Sequence, residues 1–181
     1  MRGRRSELDW LERELQSLDR LEGTKSRAKI SPDPIDFARE VLKFQPTNYQ
    51  EAFLRDPSKR ILLCWSRQSG KTTTIAAKAI WYALTHPGTL TLIVAPSLRQ
   101  SMILSDRIQD FLARLSPELR KAWIAKQQRT QILFRNQSRI IALPNSENLL
   151  RGYSSHMRVA YESNFFSNDE VFSIYPAIEF L

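Results

Sequence analysis

The sequence predicts an α/β fold in which a mostly parallel sheet is flanked by helices, and three observations carry that prediction. The apolar run Arg60-Ile61-Leu62-Leu63-Cys64-Trp65 ends in a short polar loop, Ser66-Arg67-Gln68-Ser69-Gly70, and an Ala-rich helical pattern follows at once through Trp81 and Leu84. Strand, loop and helix in that order place backbone N–H groups and the positive end of a helix around one point, which suits an anion. The run Thr89-Leu90-Thr91-Leu92-Ile93-Val94-Ala95, closed by Pro96, is uncharged and rich in β-branched residues. It reads as a second buried strand, joined in parallel to the first by the helix between Thr73 and Leu84. Finally, 181 residues with 42% apolar content hold one good core and leave no room for two large domains.

Taken in order, the chain opens with Leu8, Leu11, Leu15 and Leu18 at spacings of three and four, so residues 1–22 carry an amphipathic helix from about Glu7 to Leu21. Its heptads are too few to set an oligomeric state, and Glu7, Asp9, Glu12 and Glu14 offset its arginines, so ordinary solvated helix surface reads better than a DNA clamp. Residues 23–34 turn to Ser, Lys and Pro and form a linker, with Pro32 and Pro34 excluding a continuous helix. From residue 35 to 181 the pattern is that of one partial domain. Asp33 or Asp36 caps a helix bearing Phe37, Val41 and Leu42, and Phe44-Gln45-Pro46-Thr47-Asn48-Tyr49-Gln50 leads into a short helix, Glu51 to Leu54.

Beyond the second strand, Pro96-Ser97-Leu98-Arg99-Gln100-Ser101 leaves the carboxyl edge of the sheet, where open α/β folds place ligands. Ser97, Arg99 and Gln100 suit a nucleic-acid backbone or a link to the nucleotide, while Ser97 also suits a helix cap. Met102 to Leu115 reads as a helix with Ile103, Ile108, Phe111, Leu112 and Leu115 inward. Thr130–Phe134 and Arg139–Leu143 read as strands around a turn at Arg135-Asn136-Gln137-Ser138, Met157–Tyr161 as the last strand, and Asp169 to Pro176 as a helix.

The chemistry centres on the polar loop. Gly70, Lys71 and Thr72 supply the closing residues of a Walker A phosphate loop, Ser66 stands for its leading glycine, and Gln68, Ser69 and Thr73 complete the cradle. Lys71 adds a point charge for phosphate and Arg67 a second cation. A surface turn with a coincidental Gly-Lys-Thr is the bland alternative. Gln50 offers a donor and an acceptor for a base and Tyr49 a ring to stack on it, although Tyr49 reads equally as core. Arg151, in a polar Arg-Gly loop, suits neutralisation of charge on a transferring phosphoryl group, in cis or across a subunit boundary; a salt bridge or DNA phosphate contact competes. Glu162 suits the general base that orients water. Magnesium would be held by Thr72 with Glu162 or Asp169, because Tyr161 occupies the place just before Glu162 where an acidic partner is expected.

A formal charge of +8 favours a polyanionic partner without separating nucleic acid from acidic lipid or a charged protein, and solubility alone is the competing account. Arg107, Arg114, Arg120, Lys121, Lys126 and Arg129 carry much of that field. The lone Cys64 excludes an internal disulfide and a cysteine metal cluster and is expected to be buried packing. No secretory leader and no apolar stretch long enough to span a bilayer is visible, so an intracellular protein without a membrane role is expected.

Together these motifs resemble the N-terminal ATPase part of the large terminase subunit, the DNA-packaging motor protein of tailed bacteriophages. Phe44-Gln45-Pro46 with Tyr49 and Gln50 resembles its adenine-binding segment, Ser66–Thr72 its arginine-containing Walker A, and Ala95-Pro96-Ser97 with Gln100 and Ser101 its motif after the second strand. Leu143-Pro144-Asn145 with Leu150-Arg151-Gly152-Tyr153 resembles the segment bearing its trans-acting arginine, and Val159-Ala160-Tyr161-Glu162 its Walker B with catalytic glutamate, Tyr161 replacing the usual aspartate. The resemblance implies a P-loop NTPase of the additional-strand type, ATP and Mg²⁺ as cofactors, and hydrolysis coupled to translocation of double-stranded DNA into procapsids. It further implies the portal protein and small terminase subunit as partners, a homo-oligomeric ring in the full motor, and the cytoplasm of an infected bacterium as location. The family's coupling-motif strand and nuclease are not found in the sequence, so the domain is expected to be incomplete at its C-terminus and not to cut DNA. The rivals are a degenerate remnant that binds nucleotide or DNA without turnover, and a helicase-type DNA-dependent ATPase.

Overall fold

A computed structural model describes residues 30–146, 150 and 153–162. The helix read over Glu7–Leu21, most of the linker, Arg151, Asp169 and the helix towards Pro176 lie outside the described residues.

Helix α1, Pro34–Glu40, begins where Asp33 Oδ1 accepts from the Ile35 amide at 2.8 Å and proline takes the first turn, where its missing N–H costs nothing. Helix α2, Asn48–Arg55, turns Phe53 and Leu54 inward. The long helix α3, Lys71–Thr85, buries Ile80 and Leu84 together with Ala76, Ala77, Ala79 and Ala83, small residues that let it lie close on its neighbours. Strand β1, Leu90–Ala95, is buried throughout. Helix α4, Leu98–Ala113, is capped by Ser97 and buries Leu104, Ile108, Phe111 and Leu112, while Ile103, expected inward, is 51% exposed. Helix α5, Pro117–Trp123, leads into β2, Ile124–Gln127, and strands β3, Gln131–Phe134, β4, Arg139–Pro144, and β5, Met157–Ala160, complete the sheet.

The strand order is β2-β3-β4-β1-β5. β1 pairs in parallel with β4 and with β5, whereas β2–β3 and β3–β4 are antiparallel. The sheet is therefore mixed, parallel at its centre and antiparallel towards β2, because the hairpin turn at residues 135–138 returns the chain beside itself. Asn136 fastens that turn to the end of α3, donating from Nδ2 to Ala83 O at 2.8 Å and Leu84 O at 3.1 Å.

Alternate residues of β1 serve two faces. Ile93 and Ala95 join the main core with α1, α3 and α4, in which Phe37 and Trp123 rings lie 6.3 Å apart. Leu90, Leu92 and Val94 join a smaller cluster with Ile141 and Leu150. Both faces are covered, which is why the run carries no polar alternation.

One expected strand is not formed. Residues 60–66 take no regular structure, Ile61 is 37% and Leu62 82% exposed, and Cys64, expected buried, is exposed as well. Both ladders of β1 are taken by β4 and β5, and the apolar run does not pair with the open edge of β5 or with any other described strand. Leu63 and Trp65 still pack partly against the core while Leu62 and Cys64 face outward, the alternation of an extended chain lying on one face.

Candidate functional site: the phosphate loop and the carboxyl edge of the sheet

Because β1, β4 and β5 run in parallel, their carboxyl ends present Pro96-Ser97, Asn145 and Tyr161-Glu162 along one edge. The first turn of α3, just after the loop Ser66–Gly70, meets this edge through a hydrogen bond of 2.8 Å between Thr72 Oγ1 and the Tyr161 hydroxyl. Residues 89 positions apart thus join the start of α3 to the end of β5.

Within the loop, Ser69 Oγ donates to Ser66 O at 2.8 Å and closes a turn in which Gln68 has φ of 59°. Arg67 and Gln68 are exposed at its tip. The strict Walker spacing sets four residues between its two glycines, so the leading place falls on Trp65 rather than Ser66. The Trp65 ring turns back between Tyr49, at 4.9 Å, and Phe53, at 5.9 Å, both edge-on. Gly70 caps α3 with φ of 78°, a conformation that disfavours a Cβ, and an added Cβ would lie 2.6 Å from Gln50 Nε2. The backbone favours glycine there, and a larger residue would also displace the Gln50 amide from Ser69 O. Lys71 Nζ donates to Trp65 O at 3.4 Å, on the loop's own backbone, and Thr73 is half-buried in the first turn of the helix.

Tyr49 and Gln50, read as base contacts, both reach the loop itself. The Tyr49 hydroxyl and Gln50 Nε2 each donate to Ser69 O at 2.9 Å, while Gln50 Oε1 accepts from the Thr47 amide at 2.9 Å. Gln50 is 5% exposed. Its amide thus braces the loop with one end and caps its own helix with the other, a half of the capping box that Thr47-Asn48-Tyr49-Gln50 spells out. Sequence reading did not single out Lys78. Its Nζ donates to Phe53 O at 2.8 Å and Asp56 O at 3.0 Å and lies 4.6 Å from the Phe53 ring centre, and burial lowers its pKa. It ties the end of α2 to α3, and a lysine among alanines on a helix was the available signal.

Glu162 follows Tyr161 at the strand end, half-buried, with φ of 56°. A non-glycine residue held in that region is strained, and such strain gathers at functional sites. Among the described residues no three His, Cys, Asp or Glu side chains converge to hold a metal. Of the residues read as magnesium ligands, Thr72 stands in the first turn of α3 and Glu162 just beyond β5, while Asp169 lies outside the described residues.

The described basic residues Arg114, Arg120, Lys121, Lys126, Arg129 and Arg135 are exposed and lie on α5, β2 and the segments flanking them, towards the antiparallel end of the sheet. Among the described residues no helix is long and apolar enough to cross a membrane.

No protein-family model matches the chain. It is 34% identical over 83 residues to the protein "Terminase, large subunit" of Thermus phage G20c and 32% identical over 83 residues to that of Thermus virus P23-45. Each match takes in 46% of this chain and 17% of the relative. Among solved structures, the large terminase ATPase domain of Thermus phage P74-26 superposes with a TM-score of 0.62, 22% identity, and coverage of 83% of this chain and 66% of that one. A point variant of that domain superposes with a TM-score of 0.69, covering 81% of this chain and 65% of that one. The chain thus shares the fold of a phage terminase ATPase domain.

Proposed function

We propose that this chain is the ATP-hydrolysing core of a viral DNA-packaging motor, coupling hydrolysis to movement of double-stranded DNA into a procapsid. The observation that carries the reading is the phosphate loop at the head of α3, braced by Tyr49 and Gln50 and joined by Thr72 to the carboxyl edge of a sheet with the terminase ATPase fold. Backbone amides of Ser66–Thr73 and the amino end of α3 receive the phosphates, Lys71 neutralises their charge, and Arg67 at the exposed tip assists. Glu162, beside Tyr161, orients the attacking water, and Arg151 supplies positive charge from the same or a neighbouring subunit. Tyr49 is 47% exposed and offers its free face to the base, with Gln50 behind it. Magnesium bound to the triphosphate would offset charge on the phosphate oxygens.

DNA, as a polyanion, meets the exposed basic surface of α5 and β2. By resemblance the motor is a homo-oligomeric ring that works with the portal and small terminase subunit in the host cytoplasm, with residues 1–22 a helical arm, 23–34 a linker and 35–181 the ATPase part. Tyr161 favours a second reading, a nucleotide-binding remnant without turnover, since it brings no charge where an acid is expected.

Mg²⁺-dependent ATP turnover and nucleotide binding, measured on the purified chain with Lys71→Ala and Glu162→Gln, separate these. Turnover abolished by both variants supports the motor core. Binding that is lost in Lys71→Ala, without turnover in the parent, selects the remnant; no binding by the parent overturns both.

A further inference from the structure

Tyr161 is 8% exposed, its ring belongs to the main core, and its amide donates to Val94 O at 2.7 Å, so its position at the end of β5 is fixed from behind. Only its hydroxyl points onward, to Thr72 Oγ1 at 2.8 Å. Thr72 is the loop hydroxyl best placed, by its step after Lys71, to reach a cation on bound phosphates. A phenol can accept the Thr72 proton and leave the threonine lone pairs facing the phosphates, as a carboxylate would, but it adds no negative charge and cannot anchor the water shell of a divalent ion as firmly.

We propose that Tyr161 is a positioning residue that orients the Thr72 hydroxyl without charge, so that this chain binds nucleoside triphosphate with little dependence on Mg²⁺. The inference rests on the nucleotide reading above and specifies how its site handles the metal. A buried tyrosine that simply satisfies its own hydroxyl would make the same hydrogen bond. The two accounts part in the effect of substitution on metal response.

The experiment titrates a fluorescent ATP analogue into the full chain in EDTA and in excess Mg²⁺, for the parent, Tyr161→Phe and Tyr161→Asp, with circular dichroism to verify folding. The expected parent affinities differ by less than about threefold between the buffers. Tyr161→Asp is expected to widen that ratio by about 10-fold or more, in the range by which outer ligand-orienting groups alter metal affinity. Tyr161→Phe is expected to weaken binding several-fold in both buffers with its ratio unchanged. A parent ratio above about 10-fold would overturn the inference, as would a Tyr161→Phe chain indistinguishable from the parent; both results stand even if Tyr161→Asp fails to fold. A folded Tyr161→Asp with the parent's ratio overturns it too. Failure of the parent to bind the analogue in either buffer would instead remove the nucleotide reading and this inference with it.

Discussion

The two flanks of the phosphate loop are built in opposite ways. On the helix side, α3 buries most of its length, with Ala76, Ala79, Ile80 and Ala83 at 0–1% exposure. On the other side, residues 60–66 have no ladder, and Leu62 is 82% exposed. The loop is nevertheless held in place, by side chains of α2: Tyr49 and Gln50 on Ser69 O, and Trp65 between Tyr49 and Phe53. The loop ahead of α3 is therefore positioned by that helix and by a side-chain brace, to which the irregular flank contributes the Trp65 ring in place of a strand ladder.

Four substitutions test this asymmetry. Ile80→Ala, which empties a fully buried site on α3, should cost about 2–5 kcal/mol in denaturant unfolding. Gly70→Ala should cost about 1–3 kcal/mol through its left-handed backbone and the clash with Gln50, and should abolish binding of an ATP analogue. Gln50→Ala leaves the Thr47 amide without its side-chain acceptor and Ser69 O held by the Tyr49 hydroxyl alone, and should cost about 1–3 kcal/mol; a chain that kept full stability and affinity would show that the Gln50 half of the brace is dispensable. Leu62→Ser should change stability by less than about 0.5 kcal/mol, and a loss of several times that would mean the supposedly loose flank is packed in solution.

Most of the sheet and its helices were legible because each carries a signal internal to itself. Asp33 before Pro34, the Ile108–Phe111–Leu112–Leu115 spacing, and the uncharged run of β1 all state their own geometry. The Ile61–Trp65 run states it too, yet a strand is a relation between two segments, and apolar composition says nothing of whether another segment pairs with it. Helix α5 and β2 escaped notice because they sit in a basic stretch where Trp123 alone is buried in the helix. At the site, the loop residues and Glu162 were visible as types. That the Gln50 Nε2 is engaged by Ser69 O, and that Tyr161 meets Thr72, depends on approaches across 19 and 89 positions that no local pattern encodes.

The central strand has a consequence for how the chain assembles. β1 finds its partners only in residues 139–144 and 157–160, both later in the sequence. During synthesis Leu90–Ala95 emerges from the ribosome well before either, an uncharged six-residue stretch with unpaired backbone and no proline. Such a segment invites association with its copies until the later strands arrive. Pairings this distant also place folding towards the slow end for mixed α/β domains. Chaperone dependence and yield on expression should accordingly be governed by residues 90–95, far more than by the solvent-facing stretch that leads into the phosphate loop.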